Sequence, residues 1–417
     1  MTTITELSST LQALLTSKAN ELARTTGFIQ RQRQITGAGF AQTLVLGGLA
    51  QPNATRREQQ QTAAQVGMKI TSQGLEQRFT PSATAFMKAL LKEGLTQLVS
   101  SEQSRPLLPQ FNGVYVTDCT RLDWREAGVK LGVRWELQQG QLQASLSDLS
   151  QHDQKTAVID QPLPTGALHL ADLGFFKLSR FQTWSDQGVY WLTRFKMGTC
   201  LYQPDGTSLD LLAWLTPLQH PQTLLVQVGS KERLSAYLVA APTPDDAYAK
   251  RLARLQEQAR LDQRPLSAQQ AAYAHWTLYL TNLPEVTFAQ AHLLARIRWQ
   301  IELLFKLWKS HGKVLVARTA DPIRRQCEGY AKLLGVLVAH WCLLVTGWQH
   351  DRLNGLDALR LVRRHAALLT QAVLQPSLWA DFFIGLRQAL DRCSPRSKRG
   401  KNPLLFQLCQ TFDLVLP

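Results

Sequence analysis

Two aspartates and a glutamate stand out by their settings. Asp118 closes the alternating run VYVTD, Asp172 closes LHLAD, and Glu302 lies in the apolar stretch ARIRWQIELLFKLWKSHGK. Carboxylates at the ends of strands in one sheet can lie close together, and hard oxygen donors of this kind suit a divalent cation. An aspartate at a strand end also serves as a turn residue or helix cap, and each one alone fits that use. With Arg298 as zero, about 100° per residue puts Glu302 near 40° and Lys309 near 20°, one narrow polar stripe. Leu294, Ile297, Ile301, Leu304, Leu307 and Trp308 form much of the apolar remainder. A glutamate in such a helix is costly to bury unless it is paired or bound to metal. The simpler alternative is an Arg298–Glu302 pair one turn apart, worth a few tenths of a kcal/mol at a surface.

The whole chain limits the chemistry further. Its 46 Lys and Arg against 31 Asp and Glu leave a net charge of +15, which favours a polyanionic partner, nucleic acid before anionic membrane. An apolar share of 45% excludes a disordered chain, and 417 residues suffice for several domains with a sizeable core. Cys119, Cys200, Cys327, Cys342, Cys393 and Cys409 show no CxxC spacing, which argues against a disulfide framework or a zinc ribbon. The histidines form no HxxxH or HExxH pair. The start, MTTITELSSTLQALL, lacks the basic-then-apolar order of a signal peptide. The longest apolar run, Leu333 to Trp348, carries His340 at its middle and falls short of the roughly 20 residues of a membrane span, so a buried core helix is expected. These features predict a reducing, cytoplasmic compartment.

The elements that must position the acids read as follows. Residues 1–105 show helical periodicity, with Thr80-Pro81-Ser82 as a helix start. FNGVYVTDCTRLDW, VKLGVRWELQQG and QLQASLSDLS alternate as three strands of a meander. ALHLADLGFF is a fourth strand, FKLSRFQTWSDQG a helix, and VYWLTRFKM a fifth strand, so a mixed sheet with packed helices is expected. TLLVQVGS and LSAYLVAAP are further short strands, residues 242–270 are polar and partly helical, and HWTLYLTNLP returns to strand texture. A long helix runs from about Phe288 to Ser310, more helices fill 320–370, and Arg396, Lys398, Arg399 and Lys401 mark a basic tail.

The spacing Arg298, Glu302, Lys309 resembles the third-acid signature of the IS4 group of insertion-sequence transposases: Tyr, two residues, Arg, three residues, Glu, six residues, Lys. Ala295 stands where the signature has Tyr. YVTDCTRL, ADLGFFKLSRF with GVYWLTRFK, and HWTLYLTNLP resemble the same family, in order, from about Gly113 to Trp348. The resemblance implies an α/β, ribonuclease H-like fold with a five-stranded mixed sheet and a β-rich insertion. It places an N-terminal helical DNA-binding domain at 1–105, a catalytic domain at 106–197 and 276–350, the insertion at 198–275, and a C-terminal helical region at 351–417.

Under that resemblance Asp118, Asp172 and Glu302 would be the catalytic acids and the ligands of two Mg²⁺ ions, with Mn²⁺ able to replace them. Arg298 and Lys309 would hold the DNA backbone, while Trp276, with Trp299 as a second candidate, would stack a flipped base. The implied partners are double-stranded DNA, both terminal inverted repeats and target, and a second copy of the chain in a homodimer, with no membrane. Arg31, Arg33, Arg56 and Arg57 are candidates for end recognition. The implied activity is cut-and-paste transposition, with hairpin ends as one route. The alternatives are a DNA-binding protein that has lost catalysis and a nuclease that cuts without joining.

Overall fold

The computed structural model describes residues 1–31, 34–105, 107–125, 127–350 and 354–393. Among these the chain divides into two compact units: residues 1–105, 118–161 and 301–393 form the first, and 107–117 and 162–300 the second. Arg33 and the basic tail at Arg396 to Lys401 lie outside the described residues.

The first unit is largely helical. Its helices start where local chemistry says they should: Thr3 and Glu6 form a capping box for Ile4–Ala13, and Thr55 and Glu58 do the same for Arg56–Gln65. Thr80 caps Pro81–Thr96 with Pro81 in the first turn, as the sequence indicates. Helix Pro322–Thr346 is capped by Asp321 and packs against Pro81–Thr96 and Gly37–Ala50. It is long and apolar enough to cross a membrane, yet 89% of its most apolar window is buried inside the protein, as expected of a core helix.

Charged residues on one face of that helix are also buried, and they are paired. Arg324 Nε donates to Glu328 at 2.9 Å, Nη2 donates to Gln59 at 2.9 Å, and Nη1 donates to Glu76. Lys332 lies 3.9 Å from Glu328 and donates to the Val316 carbonyl. This network joins N-terminal helices to the core helix within one unit.

Strands β1 (Val114–Asp123), β2 (Gly128–Glu136) and β3 (Leu142–Ser147) form the expected meander. In the first unit, β2 lies between β3 and the second half of β1, and pairs antiparallel with β3 from Lys130↔Ser147 to Trp135↔Leu142. Its hairpin tip is held by Glu136, whose carboxylate accepts from the Gln138 and Gln139 N–H groups at 2.9 and 2.6 Å.

The second unit is built on a sheet ordered β1-β4-β5-β9-β8-β7-β6. The first half of β1 runs parallel to β4 (Leu168–Ala171), which runs parallel to β5 (Tyr190–Arg194). Helix Leu178–Asp186 supplies the crossover that a parallel pair needs. The remaining strands, β6 (Leu201–Tyr202), β7 (Gln222–Val228), β8 (Leu234–Pro242) and β9 (Trp276–Thr281), pair antiparallel. A five-stranded sheet is thus an undercount. β9 pairs with β5 on one side and β8 on the other, so the strands between residues 201 and 242 lengthen the sheet.

Candidate active site

Asp172 directly follows β4, within a residue of the strand end the sequence indicates, and takes the N-cap position of the short turn Leu173–Phe175. Its side chain makes no capping bond there. Instead Oδ1 accepts from Arg194 Nη2 at 3.2 Å and faces Arg298 Nε at 3.8 Å. This carboxylate is therefore held by two guanidinium groups and makes no backbone cap. Arg298, from helix Phe288–Arg298, is only 11% exposed, whereas Arg194 at the end of β5 is 58% exposed. Arg194 went unremarked in the sequence because a single arginine at a strand end carries no spacing signal.

Asp118 lies within β1, not at its end, since CTRLD continues the alternation to Asp123. Its half-exposed carboxylate accepts from the Cys119 N–H at 2.7 Å. Burial pushes the Cys119 thiol up to about 12, and Asp153 and Asp118 add to the shift, so the neighbour of this acid stays a thiol at neutral pH. In the same unit, burial lowers the Lys309 pKa and the charge of Asp118 opposes that shift. The structure therefore brings Lys309 into the field of Asp118.

Glu302, half-exposed, belongs to helix Gln300–Lys306 in the first unit. The unbroken helix expected here comes in three pieces. Phe288–Arg298 is started by a Thr287–Gln290 capping box, Trp299 follows as its C-cap, and Gln300–Lys306 runs into the π-turn Leu307–His311. The wider π-turn moves Lys309 off the regular 100° wheel, and such turns are frequent at functional sites. The apolar periodicity runs through both irregularities, which is why the sequence does not betray them.

Trp276 opens β9, is half-buried, and lies across from Pro242 of β8. Trp299 is 54% exposed, unusual for so large an apolar side chain. Arg31, Arg56 and Arg57 are exposed, and Arg56 pairs with Glu76 at 3.2 Å.

Residues 113–337, more than half of the chain and inclusive of all three acids, match the family described as Transposase DDE domain. The chain belongs to that family. It is also similar to the transposase for insertion sequence element IS231F of Bacillus thuringiensis subsp. israelensis, with 24% identity covering 93% of this chain and 91% of the relative. The transposase for IS231D of Bacillus thuringiensis subsp. finitimus is 23% identical over 95% of this chain and 92% of its own length. The transposase for IS1151 of Clostridium perfringens is 23% identical, covering 78% and 77% respectively. The resemblance to insertion-sequence DDE transposases is thereby borne out.

Transposase DDE domains act on DNA and use divalent metal ions. The donor chemistry of this chain fits such ions. Asp118 and Glu302 in the first unit and Asp172 in the second each offer carboxylate oxygens, donors that suit Mg²⁺ or Mn²⁺ over zinc. All three are partly exposed and so open to a hydrated cation. Among the described residues no group of three or more His, Cys, Asp or Glu side chains is gathered as a cage. In the second unit Arg194 and Arg298 lie beside Asp172, and in the first unit Lys309 lies in the field of Asp118.

Proposed function

We propose that this DDE transposase nicks the ends of an insertion sequence and joins the freed 3′-hydroxyls to target DNA, with Asp118, Asp172 and Glu302 as its catalytic triad. The observation that carries the reading is the Asp172 carboxylate: it stands at a helix-cap position yet is turned away from the backbone toward Arg194 and Arg298. A ribonuclease H-like core is supported by a β1–β3 meander in one unit and by parallel β1, β4 and β5 in the other.

Asp118, Asp172 and Glu302 would hold two Mg²⁺ or Mn²⁺ ions, which supply Lewis-acid activation of the attacking oxygen and stabilise the leaving oxygen. The chain's own cations do the rest. Arg298, largely buried, orients the Asp172 carboxylate; Arg194, exposed at the rim, takes a phosphate oxygen of the DNA backbone. Lys309 adds positive charge beside Asp118. Trp276 stacks a base displaced from the duplex, a contact worth about 1–3 kcal/mol, and Trp299 offers a second exposed ring. Two ends must be cut and joined in concert, so the working form is a homodimer on paired ends. Hairpin ends remain the proposed route for the second strand.

The test is a labelled duplex carrying an inverted repeat and its flank, incubated with Mg²⁺ or Mn²⁺. Nicking at the repeat boundary should be lost in Asp118→Ala, Asp172→Asn and Glu302→Ala while duplex binding persists. Any of the three variants that still cuts removes that residue from the triad. Binding without cutting by the unaltered chain in both metals would favour a DNA-binding protein that has lost catalysis.

A further inference from the structure

The first residues of β9 outrun their neighbour on one edge. β5 ends at Arg194, and the Phe195 N–H donates to the Leu278 carbonyl at 3.0 Å. Alternate carbonyls of a strand point to the same edge, so the Trp276 carbonyl, two residues before Leu278, faces the place where β5 has stopped. The opposite edge is still paired, with the Thr243 N–H donating to the His275 carbonyl at 2.7 Å.

Arg251, from helix Asp245–Leu261, closes the open edge. Its Nη1 donates to the Trp276 carbonyl, to the Ala274 carbonyl at 3.3 Å and to Thr243 Oγ1 at 3.2 Å. Its Nη2 donates to Thr277 Oγ1 at 3.2 Å, and the Thr277 and Thr243 hydroxyls bond each other at 3.0 Å. One planar guanidinium thus spans two backbone carbonyls and two hydroxyls, which an ammonium of lysine could not reach with the same geometry. Tyr248, three residues earlier on the helix, stacks on His275 with ring centroids 3.8 Å apart. Residues 274–277 are therefore gripped by one face of this helix. Within the helix only Ala259 is buried, so apolar packing contributes little to holding it in place.

We propose that Arg251 is a positioning residue: it fixes the start of β9 and so holds Trp276 ready to receive an unpaired base. The inference rests on the base-stacking role given to Trp276 above. Ordering the receiving ring in advance spares binding the entropy of fixing it, so a loosened β9 start should weaken base capture and spare general DNA affinity.

The experiment uses the full chain and three fluorescent duplexes: one fully paired, one with a single unpaired adenine, and one with an abasic site replacing that adenine. The readout is the affinity ratio of the unpaired-adenine duplex over the abasic one, alongside affinity for the paired duplex. The unaltered chain should show a ratio of about ten, equivalent to about 1.4 kcal/mol of stacking. Trp276→Ala and Arg251→Ala should both bring it close to one, and Arg251→Ala should leave paired-duplex affinity unchanged. Arg251→Lys, which keeps the charge and loses the fork, should also stay near one and provides the test should Arg251→Ala not fold. A ratio lost in Trp276→Ala but kept in both Arg251 variants overturns the positioning role alone. A ratio that Trp276→Ala leaves unchanged overturns the stacking role and the positioning role with it.

Discussion

His340 makes acid sensitivity of the fold measurable. It lies buried in the core helix Pro322–Thr346, with Trp135 and Trp348 edge-on to its ring at 6.2 and 5.8 Å. Its Nε2 donates to the carbonyl of Gly140, at the β2–β3 turn, at 2.8 Å. Gly140 has φ +76° and a Cβ there would come within 2.3 Å of Leu344, so the turn is seated on the helix by close approach as well as by the bond. Burial lowers the His340 pKa to about 4; the Gly140 carbonyl opposes the shift and the Arg105 guanidinium adds to it.

A histidine with a depressed folded pKa binds its proton more readily in the unfolded chain. Its contribution to stability is therefore intact above the unfolded pKa of about 6.5 and is lost as pH falls from there toward 4. Between pH 7 and pH 5 the loss from this one group is about 2 kcal/mol, a sizeable share of a typical domain's stability of about 5–15 kcal/mol. Urea unfolding of the full chain at both pH values, compared with His340→Gln, isolates that share. Glutamine keeps an N–H donor for Gly140 and cannot titrate, so the variant should lose about 2 kcal/mol less than the parent on acidification. Equal losses in the two proteins would refute the reasoning.

Three further outcomes follow from contacts already described. Arg324→Met leaves Glu328 and Glu76 without their shared guanidinium and should cost about 3–5 kcal/mol, read as a lower denaturant midpoint; an unchanged midpoint would show the network to be energetically idle. Gly329→Ala places a Cβ 2.3 Å from the Trp124 ring, whose Nε1 is bonded to the Val314 carbonyl, and should cost about 1–3 kcal/mol in the same assay. Arg194→Gln should reduce the slope of log affinity against log salt for duplex binding by about 1, the share of one phosphate contact, and a slope identical to the parent's would place Arg194 away from the backbone.

Much of this arrangement is legible in the residues alone. The alternation in VYVTD, VKLGVRW and LHLAD identifies strands because one face of each is packed, and Thr80-Pro81 announces its helix through local capping chemistry. Asp172 is found directly after its strand for the same reason. What escapes the sequence depends on distant partners. Arg194 and Arg251 meet groups more than twenty residues away, and neither has a neighbour whose spacing flags it. The break at Trp299 and the π-turn at Leu307–His311 are hidden because apolar residues continue in step across both. That the strands of the insertion join the sheet is fixed by β9, whose place between β5 and β8 is a matter of pairing and not of composition.

The order β9-β8-β7-β6 bears on how such a chain can change in length over evolution. Each hairpin adds to the rim of the sheet and leaves the register of the strands inside it untouched. Residues gained or lost around the two-residue β6, or in the turn between β7 and β8, alter only the margin. A single-residue slip between β8 and β9 is different in kind, since it would turn every side chain of the slipped strand to the opposite face, Trp276 among them if β9 moved. Relatives that differ in the size of their insertion should therefore differ at the rim, with the β8–β9 pairing as the fixed boundary from which variation begins.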